Sequence, residues 1–154
     1  MTPLRKALAV IAVALLSGCS TTQDVHLAKA EPTKMLVTIV QVLDADNSSQ
    51  MNGNLEAALR KEGFALKSPL PAGTRKSAEA DALISYVDVW RWDIVMYLRS
   101  LSVRLYDAQS GDLLVSGEWK DSALHGFRDA KLVMEGLVSE VLTKLRTATK
   151  VAEK

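Results

Sequence analysis

The sequence predicts an α/β (α+β) domain, a two-layer sandwich with a mixed, mostly antiparallel sheet and two helices on one face, in the order β-α-β-β-β-β-α. Three observations carry this reading. Apolar residues recur at steps of three and four in two stretches, around 51–59 and 130–148, the period of helices with one buried face. Between them lie β-branched or alternating runs bounded by Gly, Pro and Asp. One face of the last hairpin is polar and each helix has a single apolar stripe, so both helices belong on one side of the sheet, with the other side largely solvated.

Residues 35–43 (MLVTIVQVL) are apolar at both parities, as in a central strand buried on two faces. DADNSSQ then supplies turn chemistry, and Asn47, Ser48 or Ser49 is placed to cap a helix over about 50–62. Met51, Leu55, Ala58 and Leu59 mark its buried face. Gly63 suits its C′ position, with Phe64 placed to fold back on Leu59. A short strand over about 64–68 ends at Pro69-Leu70-Pro71. ALISYVDVWRW (82–92) is the next strand, with a bend near Asp93 and a following strand over 98–106. Leu101, Val103 and Leu105 face one way there, Ser102, Arg104 and Tyr106 the other. DAQSG (107–111) is a hairpin loop, and the return strand, 113–120, pairs Leu105 with Leu113 if both apolar sets share a face. The closing helix, about 129–147, shows the clearest period: Val133, Met134, Leu137, Val138, Val141, Leu142 and Leu145.

Upstream of this domain the chain has the parts of a secretory signal. Arg5 and Lys6 give a positive start, Leu8 to Leu16 an apolar run, and Ser17-Gly18 a small-residue cleavage point. The run has nine residues, whereas a spanning helix needs ~20 at ~1.5 Å per residue. Residues 1–18 are therefore expected to be removed, 19–34 to form the N-terminus and a polar flexible tether, 35–149 the domain, and 150–154 a tail. Leu16-Ser17-Gly18-Cys19 resembles the lipobox of bacterial lipoproteins. That resemblance implies lipidation of the Cys19 thiol, cleavage before it and acylation of the new amine. Single acyl chains bind membranes marginally, and two or more anchor stably. Ser20 rather than Asp follows the cysteine, which in that family resembles the pattern sent to the outer membrane of Gram-negative bacteria, with the domain in the periplasm.

Composition narrows the functions. Taking Arg5 and Lys6 from 19 basic residues leaves 17 against 18 acidic ones, a net charge of −1. That balance provides no clustered basic footprint for nucleic acid and no polybasic patch for anionic lipid. Cys19 is the sole cysteine, so no intramolecular disulfide forms and stability rests on the core.

A second resemblance covers roughly 55–145. Leu55, Leu59, Gly63 and Phe64, then Ala80-Asp81-Ala82 leading to Tyr86, then LSVRLYDAQSGDL (101–113) and Gly117, resemble small bacterial envelope lipoproteins of a domain-of-unknown-function family. It implies a fold similar to the two-layer α/β domain of Tol-system and curli-secretion lipoprotein assemblies. Relatives often carry a tryptophan shortly before the last glycine, where this chain has Val115 and Ser116.

Candidate chemistry is sparse. His125 with Asp121 and Ser122 has the residue types of a hydrolytic set, but three sequence neighbours rarely converge and no G-x-S-x-G elbow accompanies them. Asp44, Asp46 and Ser48 start like a calcium loop, but Ser49 and Leu55 stand where it needs Gly and Glu. No catalytic residue, metal ligand or cofactor is assigned, and the chain is expected not to be an enzyme. Tyr86, Trp90, Trp92 and Tyr97, with Met96, are the least ordinary cluster: either they close the end of the core, or they form an aromatic patch for a protein partner or self-association. The expected function is that of a lipid-anchored, non-enzymatic assembly or accessory subunit binding other envelope proteins. The alternative is a carrier of a small apolar ligand or lipid held between sheet and helices.

Overall fold

The computed structural model describes residues 21–122 and 126–152. The signal-like segment, Cys19 and His125 lie outside the described residues. Six strands form one sheet: β1 (Thr22–Leu27), β2 (Thr38–Gln41), β3 (Ala65–Leu66), β4 (Ala82–Trp92), β5 (Met96–Asp107) and β6 (Leu113–Lys120). Two helices complete the domain, α1 (Ser49–Lys61) and α2 (Ala130–Ala152). The spatial order is β1-β6-β5-β4-β2-β3, antiparallel except that β2 runs parallel to β3 and β4. The α+β two-layer class is thus the one the sequence predicts, with one strand more.

The helix ends follow from local chemistry. Ser48 Oγ accepts from the Met51 N–H at 3.3 Å, selecting it among the three candidate caps. At the other end Phe64 N–H donates to Leu59 O and Gly63 N–H to Arg60 O, with Gly63 at φ 89°, the paired closure that only a left-handed C′ residue allows. Phe64 then lies under the Arg146 guanidinium at 5.3 Å, joining the end of α1 to α2. Asp129 Oδ1 accepts from Lys131 and Leu132 N–H, capping α2. That helix continues to Ala152, so the expected tail from 150 is mostly helical.

The main core fills the space between the sheet and the helices. Ile39, Ile84, Tyr86, Leu101, Val103, Leu105, Val115 and Trp119 from the strands meet Met51, Leu55, Leu59, Met134, Leu137 and Val141 from the helices. Contact is closest over Gly117, where an added Cβ would stand 2.6 Å from Val141 Cγ2 and 2.8 Å from Leu137 Cδ1. The glycine lets α2 lie directly on β6. A ligand cavity between sheet and helices, as the carrier reading requires, is not present at this seam. The far face of the sheet is partly covered too: Val40, Val42, Leu83, Ala80 and Ala108 form a small second cluster with Leu70 and Tyr106.

Three expectations are corrected. The hairpin pairs Leu105 with Val115, not Leu113: Leu113 pairs with Tyr106, one residue nearer the turn, and a bulge between Leu105 and Tyr106 takes in Leu114, which is buried in the core as well. The strand expected over 35–43 is shorter, Thr38–Gln41, extended only by a bridge from Val42 to Leu70. Most consequentially, the polar segment read as a tether is bound to the domain. Thr22–Leu27 pairs antiparallel along β6, from Thr22↔Lys120 to Leu27↔Val115. Only Val25 of this strand is buried, beneath α2, so β1 carries almost no apolar signal.

Two carboxylates fasten the rest of that segment. Asp81 Oδ2 accepts from Val37 and Thr38 N–H, while Lys34 approaches Oδ1 at 3.0 Å. The Thr38 hydrogen bond, outweighing the opposing effect of burial, holds the Asp81 pKa below its ordinary value. Asp107, fully buried, accepts from Thr33 N–H (2.7 Å) and Thr33 Oγ1 (2.8 Å), and from Gln109 and Ser110 N–H in its own turn. Burial alone pushes its pKa up, but these four bonds overcome that and hold it down at about 2.

The sign of the pH effect follows. A carboxylate held below its ordinary value of 3.8 stabilises the fold above that pH, and the contribution is lost as pH falls from about 4 through about 2. Asp107→Asn is expected to lower unfolding free energy at pH 7 by about 1–2 kcal/mol. Urea titrations should show the gap between the two proteins narrowing as pH drops from about 4 towards about 2. A gap independent of pH contradicts the assignment.

Candidate functional site

The cluster chosen from the sequence is built on the β4–β5 hairpin, and the structure divides it. Tyr86 is 1% exposed; its hydroxyl donates to Asn52 Oδ1 at 2.6 Å, and burial, with the negative charges of Asp88 and Asp44, pushes its pKa up. Trp90 is half-buried against the core, and its indole N–H donates to Asp88 Oδ2 at 2.6 Å. Ser48, the cap of α1, donates to the same oxygen at 3.2 Å. Tyr86 is thus part of the core and Trp90 packs against it, and together they tie the end of the core to the start of α1.

Trp92 is different. It is 72% exposed, and with Ile94 (80%), Val95 (49%) and Met96 (57%) it forms an apolar tip at the end of the hairpin. Tyr97 is half-buried, its ring in edge-to-face contact with Phe127 at 5.8 Å between centroids and 83° between planes. Phe127, 45% exposed and at φ 46°, continues the apolar surface from the hairpin towards α2. A left-handed conformation is unfavourable for a bulky residue, and here it lays the ring against the hairpin. Arg99 secures the intervening chain, its Nη1 donating to Asp121 O and Ser122 O at 2.8 and 2.9 Å.

The tip exists because the hairpin outruns its support. Ser48 contacts Asp88, so α1 begins beneath that point of β4. A bulge between Val89 and Trp90 then re-aims the strand, and pairing continues through Arg91↔Tyr97 and Trp92↔Met96. A solvated turn of this kind is usually made from Gly, Asn or Asp; this one is Asp93-Ile94-Val95. That mismatch was the readable signal for Ile94 and Val95. Phe127 had none, since its place depends on the fold.

Elsewhere the described residues form several open clefts, two of them roomy. One of about 420 Å³ lies on the far face of the sheet among Asp44, Thr74, Arg75, Ser85 and Tyr106. The other, about 530 Å³, lies at the opposite rim of the domain among Met35, Leu36, Phe64, Leu142 and Leu145. Asp44 and Asp46 are used locally, Asp44 Oδ1 accepting from Asp46 N–H. Among the described residues no three His, Cys, Asp or Glu side chains gather as metal ligands, and no helix is long and apolar enough to cross a membrane.

Neither a protein-family model nor a curated protein sequence matches the chain. Solved structures do match its fold. The chain is similar to PelC from Paraburkholderia phytofirmans, solved as a dodecamer: a point variant of that protein is 16% identical with a TM-score of 0.54, over 82% of this chain and 97% of that one. A second PelC dodecamer structure is 15% identical with a TM-score of 0.53, over 82% of this chain and 97% of that one. TolB from Acinetobacter baumannii is a looser likeness, 18% identical with a TM-score of 0.46 over 80% of this chain and 32% of that one. At these identities what is shared is the fold.

The two tryptophans should separate in a stability measurement. Trp90→Ala is expected to cost about 2–4 kcal/mol in denaturant unfolding, through lost packing and the lost indole hydrogen bond to Asp88. Trp92→Ala should stay within about 0.5 kcal/mol of the parent. Equal losses at both positions contradict the division of the cluster.

Proposed function

We propose that this chain is a lipid-anchored cell-envelope protein, held to the outer membrane of a Gram-negative bacterium through Cys19, whose periplasmic domain serves as a non-enzymatic assembly or accessory subunit. The observation that carries the reading is Leu16-Ser17-Gly18-Cys19 at the end of a basic-then-apolar N-terminal run. The resemblance to envelope lipoproteins of a domain-of-unknown-function family supports it. So does the exposed apolar tip of the hairpin, a surface of the kind that interactions cover. In the PelC structures a chain of this fold is one protomer of a dodecamer, so the fold is able to act as a subunit, and self-association belongs within the proposal.

The carrier reading retains one favouring observation, the cleft of about 530 Å³ beside Met35 and Phe64. Its lining includes Leu142 and Leu145 but also Lys34, Arg146 and Lys150, and it stands open at the rim. It comes second because this cleft is partly lined by charged residues and α2 packs directly on β6 at Gly117.

Cys19→Ala tests the anchor. Expressed in a Gram-negative host with labelled palmitate, the parent should carry label and fractionate with outer membrane. The variant should lose both while its domain folds as before. Label retained on the variant contradicts the proposal.

A further inference from the structure

The register of the sheet sets where Cys19 can reach. Thr22 pairs with Lys120, Lys120 with Ser100, and Ser100 with Val89, so these four residues form one row across β1, β6, β5 and β4. Going backwards from Thr22, the chain leaves this row in the direction in which β4 goes forwards from Val89. On β4 three more residues lead to Trp92 and the tip, roughly 10 Å at ~3.3 Å per residue. On β1 three residues lead back to Cys19, at most roughly 10 Å for an extended chain. Three strand spacings, about 14 Å, separate the two across the sheet. The described chain therefore enters β1 at the end of the domain that carries the apolar tip, and Cys19, three residues before Thr22, lies within roughly 10 Å of that entry. The turn at Gly111 and the cleft beside Met35 and Leu36 lie at the opposite end.

We infer that the Trp92-Ile94-Val95-Met96 tip docks into the lipid surface to which Cys19 is attached, so that the domain is seated on the membrane and not suspended above it. This rests on the lipidation proposed above. Lipid acyl chains on Cys19 place a bilayer against this end of the domain, and the tip presents to it a tryptophan and three aliphatic side chains, 49–80% exposed, at a turn where water favours polar residues. Tryptophan sits well at a headgroup boundary, its ring in the apolar layer and its N–H towards water. Phe127, joined to the tip through Tyr97, lies beside it as a further apolar group. Arg91, exposed two residues before Asp93, is placed to remain among the headgroups. The attachment is short enough that tip and anchor act as two linked contacts, each raising the local concentration of the other.

Tryptophan quenching by brominated lipid reads this contact directly. The full chain, expressed in a Gram-negative host and purified in detergent, is reconstituted into phosphatidylethanolamine–phosphatidylglycerol vesicles with or without brominated acyl chains. The chain has three tryptophans, of which Trp119 is buried and Trp90 is packed on the core. The inference expects bromination to remove the share of fluorescence that belongs to Trp92, and the Trp92→Phe variant to show no such loss. A parent that sediments with the vesicles but is quenched no more than Trp92→Phe overturns the docking while leaving the anchor intact. If that unquenched tip crosslinks to a second copy, its occupant is another protomer and the inference is equally overturned. A parent that remains in the supernatant overturns the anchor, and the docking with it.

Discussion

The pairing of β1 with β6 is the constraint from which the arrangement of this molecule follows. Without it β6 is an edge with unpaired backbone groups, and α2 overhangs empty space beyond Gly117. With it, Val25 closes the core under α2, and Lys144 reaches from the helix to the Val25 carbonyl while Gln23 meets Glu140. The strand is held by backbone hydrogen bonds and by its helix contacts more than by burial of its own side chains. Asp107 and Asp81 continue the attachment, taking up the N–H groups of Thr33, Val37 and Thr38 as the chain turns into β2. A segment with the composition of a linker is thereby part of the domain from Thr22 onwards.

This bears on the geometry of the proposed anchor. A free segment from Ser20 to Lys34 would span roughly 50 Å if extended and would leave the orientation of the domain undefined. With Thr22 fixed at the end of the sheet, the lipidation proposed at Cys19 would select one end of the domain to face the membrane. That end carries the hairpin that runs past Asp88, where the start of α1 stops supporting it. One strand pairing thus connects the lipobox-like stretch at 16–19, on which the proposed anchor rests, to the exposed apolar tip of the hairpin.

Much of the fold was legible. The first helix was readable because a buried stripe, a cap and a closing Gly63 agreed with one another, the second because its apolar period is long, and β4, β5 and β6 because alternation and turn residues agreed. What could not be read was what depends on pairing. TQDVHL has only two apolar positions, Val25 and Leu27, and buries just the first because an edge strand buries little, so its strand character lies in backbone bonds to β6 that no local pattern records. The register of the β5–β6 hairpin differs by two residues: Leu113 pairs with Tyr106, one residue nearer the turn, and Leu114 forms a bulge, which alternation alone treats as an outward residue. In the aromatic cluster, parity placed Tyr86, Trp90 and Trp92 together. Their separation into core and surface arises from where α1 begins, which is a property of the packed layers.

Amide hydrogen exchange across residues 21–34 tests the central claim most directly. If β1 is a strand of the sheet, the Thr22–Leu27 amides that bond β6, together with Ala28, which donates to Leu114 O, and Thr33, which donates to Asp107, should exchange far more slowly than free chain. Exchange throughout 21–34 at the rate of an unstructured peptide, with β4, β5 and β6 protected, would show a tether and contradict the account.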